Sequence, residues 1–173
     1  EAVGAVMSEL EELGIADETL VIFTSDNGGL DPNATDNHPL RQGKGGIYEG
    51  GVRVPWIVAM PGAAAGAECG EPVITMDILP TVLGALQLEA PTDLPIDGVS
   101  LLPLLDDPRA KLDREAIYWH YPHYHSMGAR PYSAIRMGDW KLIEHHGGRR
   151  PVELYDLAND LHEDRNLATI EVE

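Results

Sequence analysis

Apolar and polar positions alternate along this chain with three different periods, and the periods mark its parts. Val3, Val6, Met7, Leu10 and Leu13 recur at helical spacing, with Glu9, Glu11 and Glu12 on the other side and Gly14 as a stop. This predicts a packing helix with a wet face. Leu20 to Thr24 is apolar at nearly every position, and so is Trp56 to Met60, which Pro61 and Gly62 end. Runs of this kind read as strands covered on both faces, as in a parallel sheet. Val73 to Leu88 reads as mostly helical, with Thr75 or Asp77 near its start and Pro80 in an early turn, where proline is tolerated. Ser100 is placed to cap a short helix containing Leu101, Leu102, Leu104 and Leu105.

After Pro108 the pattern changes. Glu115 to Tyr121 is aromatic and strand-like. Ser133 to Met137 and Trp140 to His145 flank Gly138 and Asp139, a hairpin signal, and Val152 to Tyr155 makes another strand. Asn159 or Asp160 is expected to cap a final turn, with Glu163 as its reciprocal partner. The expected division is residues 1–108 as an α/β core part and residues 109–173 as a small antiparallel sheet with a helix. Two doubly covered strands want more sheet than this sequence supplies, since two strands alone are marginal. The chain also opens without methionine, directly in a helical pattern. Both features point to part of something longer, with unpaired edges that invite self-association.

Composition narrows the function. The 173 residues are 43% hydrophobic, enough for a real core. There are 29 acidic and 12 basic residues, a formal charge of -17, and that excess sets nucleic acid aside as a partner. No apolar run is long enough to span a bilayer. Cys69 is the single cysteine, so neither an internal disulfide nor a cysteine metal site is possible, and periplasmic, secreted and cytoplasmic locations all stay open.

The candidate chemistry sits between Leu20 and Trp56. The first apolar run ends abruptly in Ser25, Asp26, Asn27, Gly28 and Gly29. A carboxylate beside an amide oxygen at a strand's carboxyl end suits a hard cation such as calcium or magnesium, although two ligands are not a full shell. The plain reading is an Asn-Gly turn in which Asp26 caps locally. Lys44 stands among glycines in QGKGG, where one cation can approach a tetrahedral anion; the phosphate-loop pattern GxxxxGK[ST] is absent. Glu49 and Arg53, around Gly50 and Gly51, are expected to form an ion pair that holds the loop. His38 lies in a DNHP turn. His120, His123 and His125 fall in WHYPHYHS, which suits substrate contact or ordinary surface placement better than a transition-metal site, because Pro122 spoils helical spacing.

Taken together, TSDNGG at 24–29, GKGGIYEGGVRVPWIVAMPG at 43–62, MDILPTVL at 76–83, IDGVSLLPLL at 96–105, and the tail AIRMGDWKLI with ELYDLANDLHEDRNL resemble type I sulfatases of the alkaline-phosphatase-like superfamily. The resemblance covers nearly all of the chain, in order. It implies the C-terminal part of a sulfatase α/β core, followed by the small antiparallel subdomain. It implies that Asp26 and Asn27 bind a divalent cation, usually Ca2+ with Mg2+ possible, and that Lys44 contacts the sulfate of a sulfate ester, small molecule or carbohydrate. His123 or His125 would then help choose the alcohol or sugar portion. Family members also carry an upstream CxPSR-like signature whose side chain becomes formylglycine, the nucleophile, and this chain has no such segment. The resemblance therefore implies a sulfuric ester hydrolase in the intact protein and no activity in this piece alone. The rival expectations are a phosphate-ester hydrolase or phosphotransferase of the same superfamily, and a non-catalytic structural or interaction domain.

Overall fold

The computed structural model describes residues 1–30, 34–125, 130–146 and 152–168. The chain forms two compact units, Glu1–Phe23 with Ile57–Arg114, and Thr24–Trp56 with Glu115–Glu173. The architecture is α/β, with a two-stranded sheet and a four-stranded antiparallel sheet.

In the first unit, helix α1 spans Ala2–Glu12. Gly14 adopts φ +69 and ends it, its amide and that of Ile15 returning to the carbonyls of Glu11 and Leu10. A glycine serves here because the left-handed turn disfavours a Cβ. The predicted stripe forms, yet α1 buries no residue, and Val3, Val6 and Leu13 are exposed. Strands β1 (Val21–Thr24) and β2 (Trp56–Ala59) are neighbours in a two-stranded sheet. Phe23 and Ile57 are exposed on it, so the expected cover on both faces does not form. Two strands give too little sheet to be enclosed.

Asp77 pins the rest of this unit. It closes a 3-10 turn, Thr75–Asp77, that leads into α3 (Ile78–Ala85), while α4 spans Leu102–Asp106. The Asp77 carboxylate is fully buried. It accepts the amides of Ile74 (2.9 Å) and Val99 (3.0 Å), and Arg114 grips it with both terminal nitrogens at 2.8 and 3.0 Å. Thr81 relays the contact: its hydroxyl donates to the Asp77 carbonyl and accepts the Leu101 amide. One carboxylate thus joins the start of α3 to the 97–101 segment.

The second unit is a four-stranded antiparallel sheet in the order β3 (Ile117–Tyr121), β4 (Tyr132–Met137), β5 (Trp140–His145) and β6 (Glu153–Asp156), with the short helix α2 (Glu49–Val52). Gly138, at φ +58, turns the β4–β5 hairpin, so Met137 faces Trp140 as the pattern predicts. Alternation sends Ala134, Ile143 and Tyr155 to one face, where Ile47, Tyr48 and Leu157 join them in the core with Val52, Trp119 and Tyr132 at its margin. The glycine-rich loop and α2 therefore lie on the inner face of this sheet. Asp160 does cap the final turn, accepting the amides of Asp164 and Arg165. Glu163 is not its reciprocal partner: its side chain turns into the core and accepts the Glu49 amide instead.

Replacing Asp77 with alanine leaves the Arg114 guanidinium and two backbone amides without their partner. It should lower unfolding free energy by roughly 3–5 kcal/mol, the usual cost of removing one member of a buried pair, as measured by urea denaturation.

Candidate functional site

The site is built from glycine packed on glycine. Downstream of β1, Ser25 donates its hydroxyl to the Asn27 carbonyl at 2.8 Å and tightens the turn carrying Asp26 and Asn27. The Gly28 amide donates to the Gly51 carbonyl at 3.1 Å, and the Lys44 amide donates to the Gly29 carbonyl at 3.1 Å. Asn37 laces the two segments. Its carbonyl oxygen accepts the Gly29 amide, and its nitrogen donates to the carbonyls of Gly29 and Gln42. A Cβ on Gly28 would overlap the Gly50 carbonyl, and one on Gly43 would overlap the Gly29 carbonyl. Backbones approach this closely only where no side chain intervenes.

These bonds bring the Asp26–Asn27 turn and the Lys44 turn together as adjoining backbone segments. Lys44 and Asp26 are exposed, and Asn27 is half-buried. Among the described residues, neither the Asp26 carboxylate nor the Asn27 side-chain amide has a protein hydrogen-bond partner. Two hard oxygens left without donors fit a share in holding calcium or magnesium. Among the described residues no group of three His, Cys, Asp or Glu side chains is arranged to hold a metal, so these two oxygens alone would not complete a shell. His38 is exposed in its turn, where its amide donates to the Asp36 carboxylate.

Beneath the glycines lies a charged core that residue spacing did not announce. Lys141 is fully buried and donates to the Ile47 carbonyl at 2.8 Å and to Glu49 Oε1 at 2.8 Å, with Glu163 Oε1 at 2.9 Å. Glu163 Oε2 accepts the Glu49 amide at 2.6 Å. The predicted Arg53–Glu49 pair is present at 3.7 Å, but it is the outer one, with Arg136 at 3.6 Å from the same Oε2. Burial pushes the Glu163 carboxyl above the usual range, even against the pull of Lys141. A signal for this core was available. Lys141 shares strand parity with Ile143, so it had to face inward, and a buried lysine requires carboxylates.

A second network flanks it. Arg41 stacks 3.7 Å over the Tyr48 ring and donates to the Tyr155 hydroxyl. Tyr48 and Tyr155 both donate to Glu153 Oε2, at 2.7 and 2.9 Å, while His145 lies 3.2 Å from Oε1. Burial alone would raise the Glu153 carboxyl, but the two phenol hydrogen bonds together with His145 and Arg41 outweigh it and hold it below the ordinary value. Burial, then the bond to Glu153, pushes Tyr155 up to about 12.

His123 and His125 are exposed and gather around Tyr121, at ring distances of 5.4 and 6.4 Å, with Tyr132 stacked on the same ring. His120 goes elsewhere. It shares the Ser133 hydroxyl with His146, at 2.9 and 3.0 Å, so the three histidines of WHYPHYHS do not converge on one point. Tyr124 is exposed beside them, and residues 126–129 of that loop lie outside the described ones.

The Lys44 amide is bonded to the segment that follows the strand-end Asp26–Asn27 turn, and the chain falls in the sulfatase class of the alkaline-phosphatase-like superfamily. Residues 42–172 match the family model described as N-sulphoglucosamine sulphohydrolase, C-terminal, and the chain belongs to that family. It is 37% identical to a sulfatase of Formosa agariphila over 185 residues, covering 96% of this chain and 33% of the relative. Among solved structures it resembles BT4656 in complex with its substrate D-glucosamine-2-N,6-O-disulfate (TM-score 0.79, 30% identity, 95% of this chain and 33% of the other). It also resembles Ps i-CgsB in complex with k-i-k-neocarrahexaose (TM-score 0.80, 29% identity, 97% and 36%). The chain spans about a third of the length of these relatives.

Two predictions follow from this packing. Gly28→Ala forces the Gly50 carbonyl aside and should cost about 1–3 kcal/mol, whereas Gly4→Ala, with open space around it in α1, should gain up to about 1 kcal/mol; thermal melts compare them. Glu153 has a lowered folded pKa, so its contribution is present above the unfolded value of about 4.3 and disappears as pH falls through the folded one. Tyr48→Phe removes part of that lowering. Its deficit against the parent chain in urea melts should be larger at pH 7 than at pH 3.

Proposed function

We propose that this chain is the cation-holding and anion-clamping part of a sulfuric ester hydrolase, acting within the intact protein. The observation that carries this reading is the Lys44 amide bonded to the Gly29 carbonyl, two residues beyond Asn27. It sets the candidate cation ligands and the candidate sulfate clamp on adjoining turns. Asp26 and Asn27 would hold calcium, or magnesium, together with ligands from outside these residues. The bound cation would supply charge neutralisation at the sulfate oxygens. Lys44 adds a positive point charge to a sulfate oxygen and orients the ester, contributing most where charge builds in the transition state. Its flexible stem suits a monodentate contact, and the rigid glycines behind it fix where the stem starts.

The substrate is a sulfate ester of a carbohydrate or small molecule. The relatives' complexes with a disulfated glucosamine and with a neocarrahexaose support the carbohydrate reading. His123 and His125 are exposed beside the Tyr121 ring, and imidazoles next to an aromatic face are a combination that suits a sugar. The 173 residues contain no CxPSR-like nucleophile segment, so the piece alone is inactive and the formylglycine belongs to the remainder of the intact protein.

The test compares 4-nitrophenyl sulfate and 4-nitrophenyl phosphate as substrates of a full-length protein carrying this chain. Sulfate should be the faster substrate, and Lys44→Ala should lower kcat by about 10²–10³. The isolated 173 residues should show no turnover. Preferential phosphate turnover would favour a phosphate-ester hydrolase, and full activity in Lys44→Ala would remove the clamp.

A further inference from the structure

Glu163 lies more than a hundred residues beyond the proposed site, yet it holds both ends of the segment that carries Lys44. Its carboxylate accepts the Glu49 amide at 2.6 Å, and its backbone carbonyl accepts the Arg41 guanidinium at 2.7 Å. Residues 41 and 49 bracket Lys44. The two anchors pass directly into the glycine packing. The Arg41 carbonyl accepts the Gly50 amide at 2.9 Å, and the Gly51 carbonyl accepts the Gly28 amide beside Asn27. Glu163 is also one of the few non-glycine residues at positive φ, +57. Left-handed backbone at a glutamate is uncommon and strained. Here it aims a fully buried carboxylate, which burial already penalises, at a main-chain amide and at Lys141. A strained backbone and a buried charge are both costs.

We propose that Glu163 is a positioning residue for the cation site: it fixes the residue 41 and residue 49 anchors and, through Gly50, Gly51 and Gly28, the placement of the Asp26–Asn27 turn. It touches neither cation nor substrate. Lys141 and Glu49 complete the anchor, since Lys141 contacts both carboxylates and ties them to the sheet. The inference rests on the proposed function, because it assigns to that cation a partner outside its ligands. Such outer partners typically change metal affinity by about 10–100-fold.

The experiment uses a full-length protein carrying this chain, with calcium binding followed by isothermal titration calorimetry and amide exchange followed by mass spectrometry. Glu163→Gly removes the carboxylate while relieving the positive φ, so it spares the backbone strain that Glu163→Ala would keep. In Glu163→Gly the Glu49 and Gly28 amides should exchange faster. Calcium should bind about tenfold or more weakly, and kcat at saturating calcium should return to that of the parent. Glu163→Gln keeps an oxygen toward the Glu49 amide and should restore most of the affinity. Unchanged calcium affinity in a folded Glu163→Gly whose Glu49 amide is exposed would overturn the proposal. So would a loss of kcat that saturating calcium fails to recover. A parent protein that binds no calcium would instead overturn the functional reading, and this inference with it.

Discussion

Lys141 is the interaction on which the second unit depends. It is a fully buried amine on the inner face of a sheet, held by two carboxylates and a carbonyl. A buried pair contributes little net stability, because desolvation cancels most of the attraction. What it supplies is selection. Glu49 from the glycine segment and Glu163 from the tail both have to reach it, since each supplies one of its two carboxylate partners. The sheet, the loop and the tail are locked in a single arrangement by that requirement.

The consequence reaches the site through main chain. Glycine packed on glycine is stiff when its edges are fixed and mobile when they are not, because glycine has the widest conformational freedom of any residue. The segment from Gly43 to Gly51 is fixed at both ends, by Arg41 on the Glu163 carbonyl and by the Glu49 amide on the Glu163 carboxylate. Asn37 and the Gly28–Gly51 bond then transfer that rigidity to the Asp26–Asn27 turn. Asp26 and Lys44 themselves stay exposed.

Much of this was legible in the residues. The Gly138–Asp139 turn and the alternation around it gave the hairpin register, because both signals are local. Gly14 ended α1 for the reason that makes glycine a helix stop. The Asp26–Asn27 pair and Lys44 stood out because unusual residue types were set in a glycine frame. Long-range choices were harder to see. Glu163 has the spacing of a reciprocal cap to Asp160, and local spacing says nothing of a buried lysine two strands away that outbids the cap. His120 was grouped with His123 and His125 by sequence proximity, while strand alternation sent it to Ser133 and His146. The apolar runs of β1 and β2 implied cover on both faces, and the side chains of Phe23 and Ile57 remain exposed, since cover depends on partners that a run cannot name.

The central claim is that the Asp26–Asn27 turn holds a cation beside Lys44. Its most direct test is an anomalous-difference map from crystals of a full-length protein carrying this chain, grown with calcium. The account predicts a peak within about 2.3–2.6 Å of an Asp26 carboxylate oxygen and the Asn27 amide oxygen. A well-occupied calcium peak elsewhere, with both of those side chains ordered and turned to solvent, would contradict it.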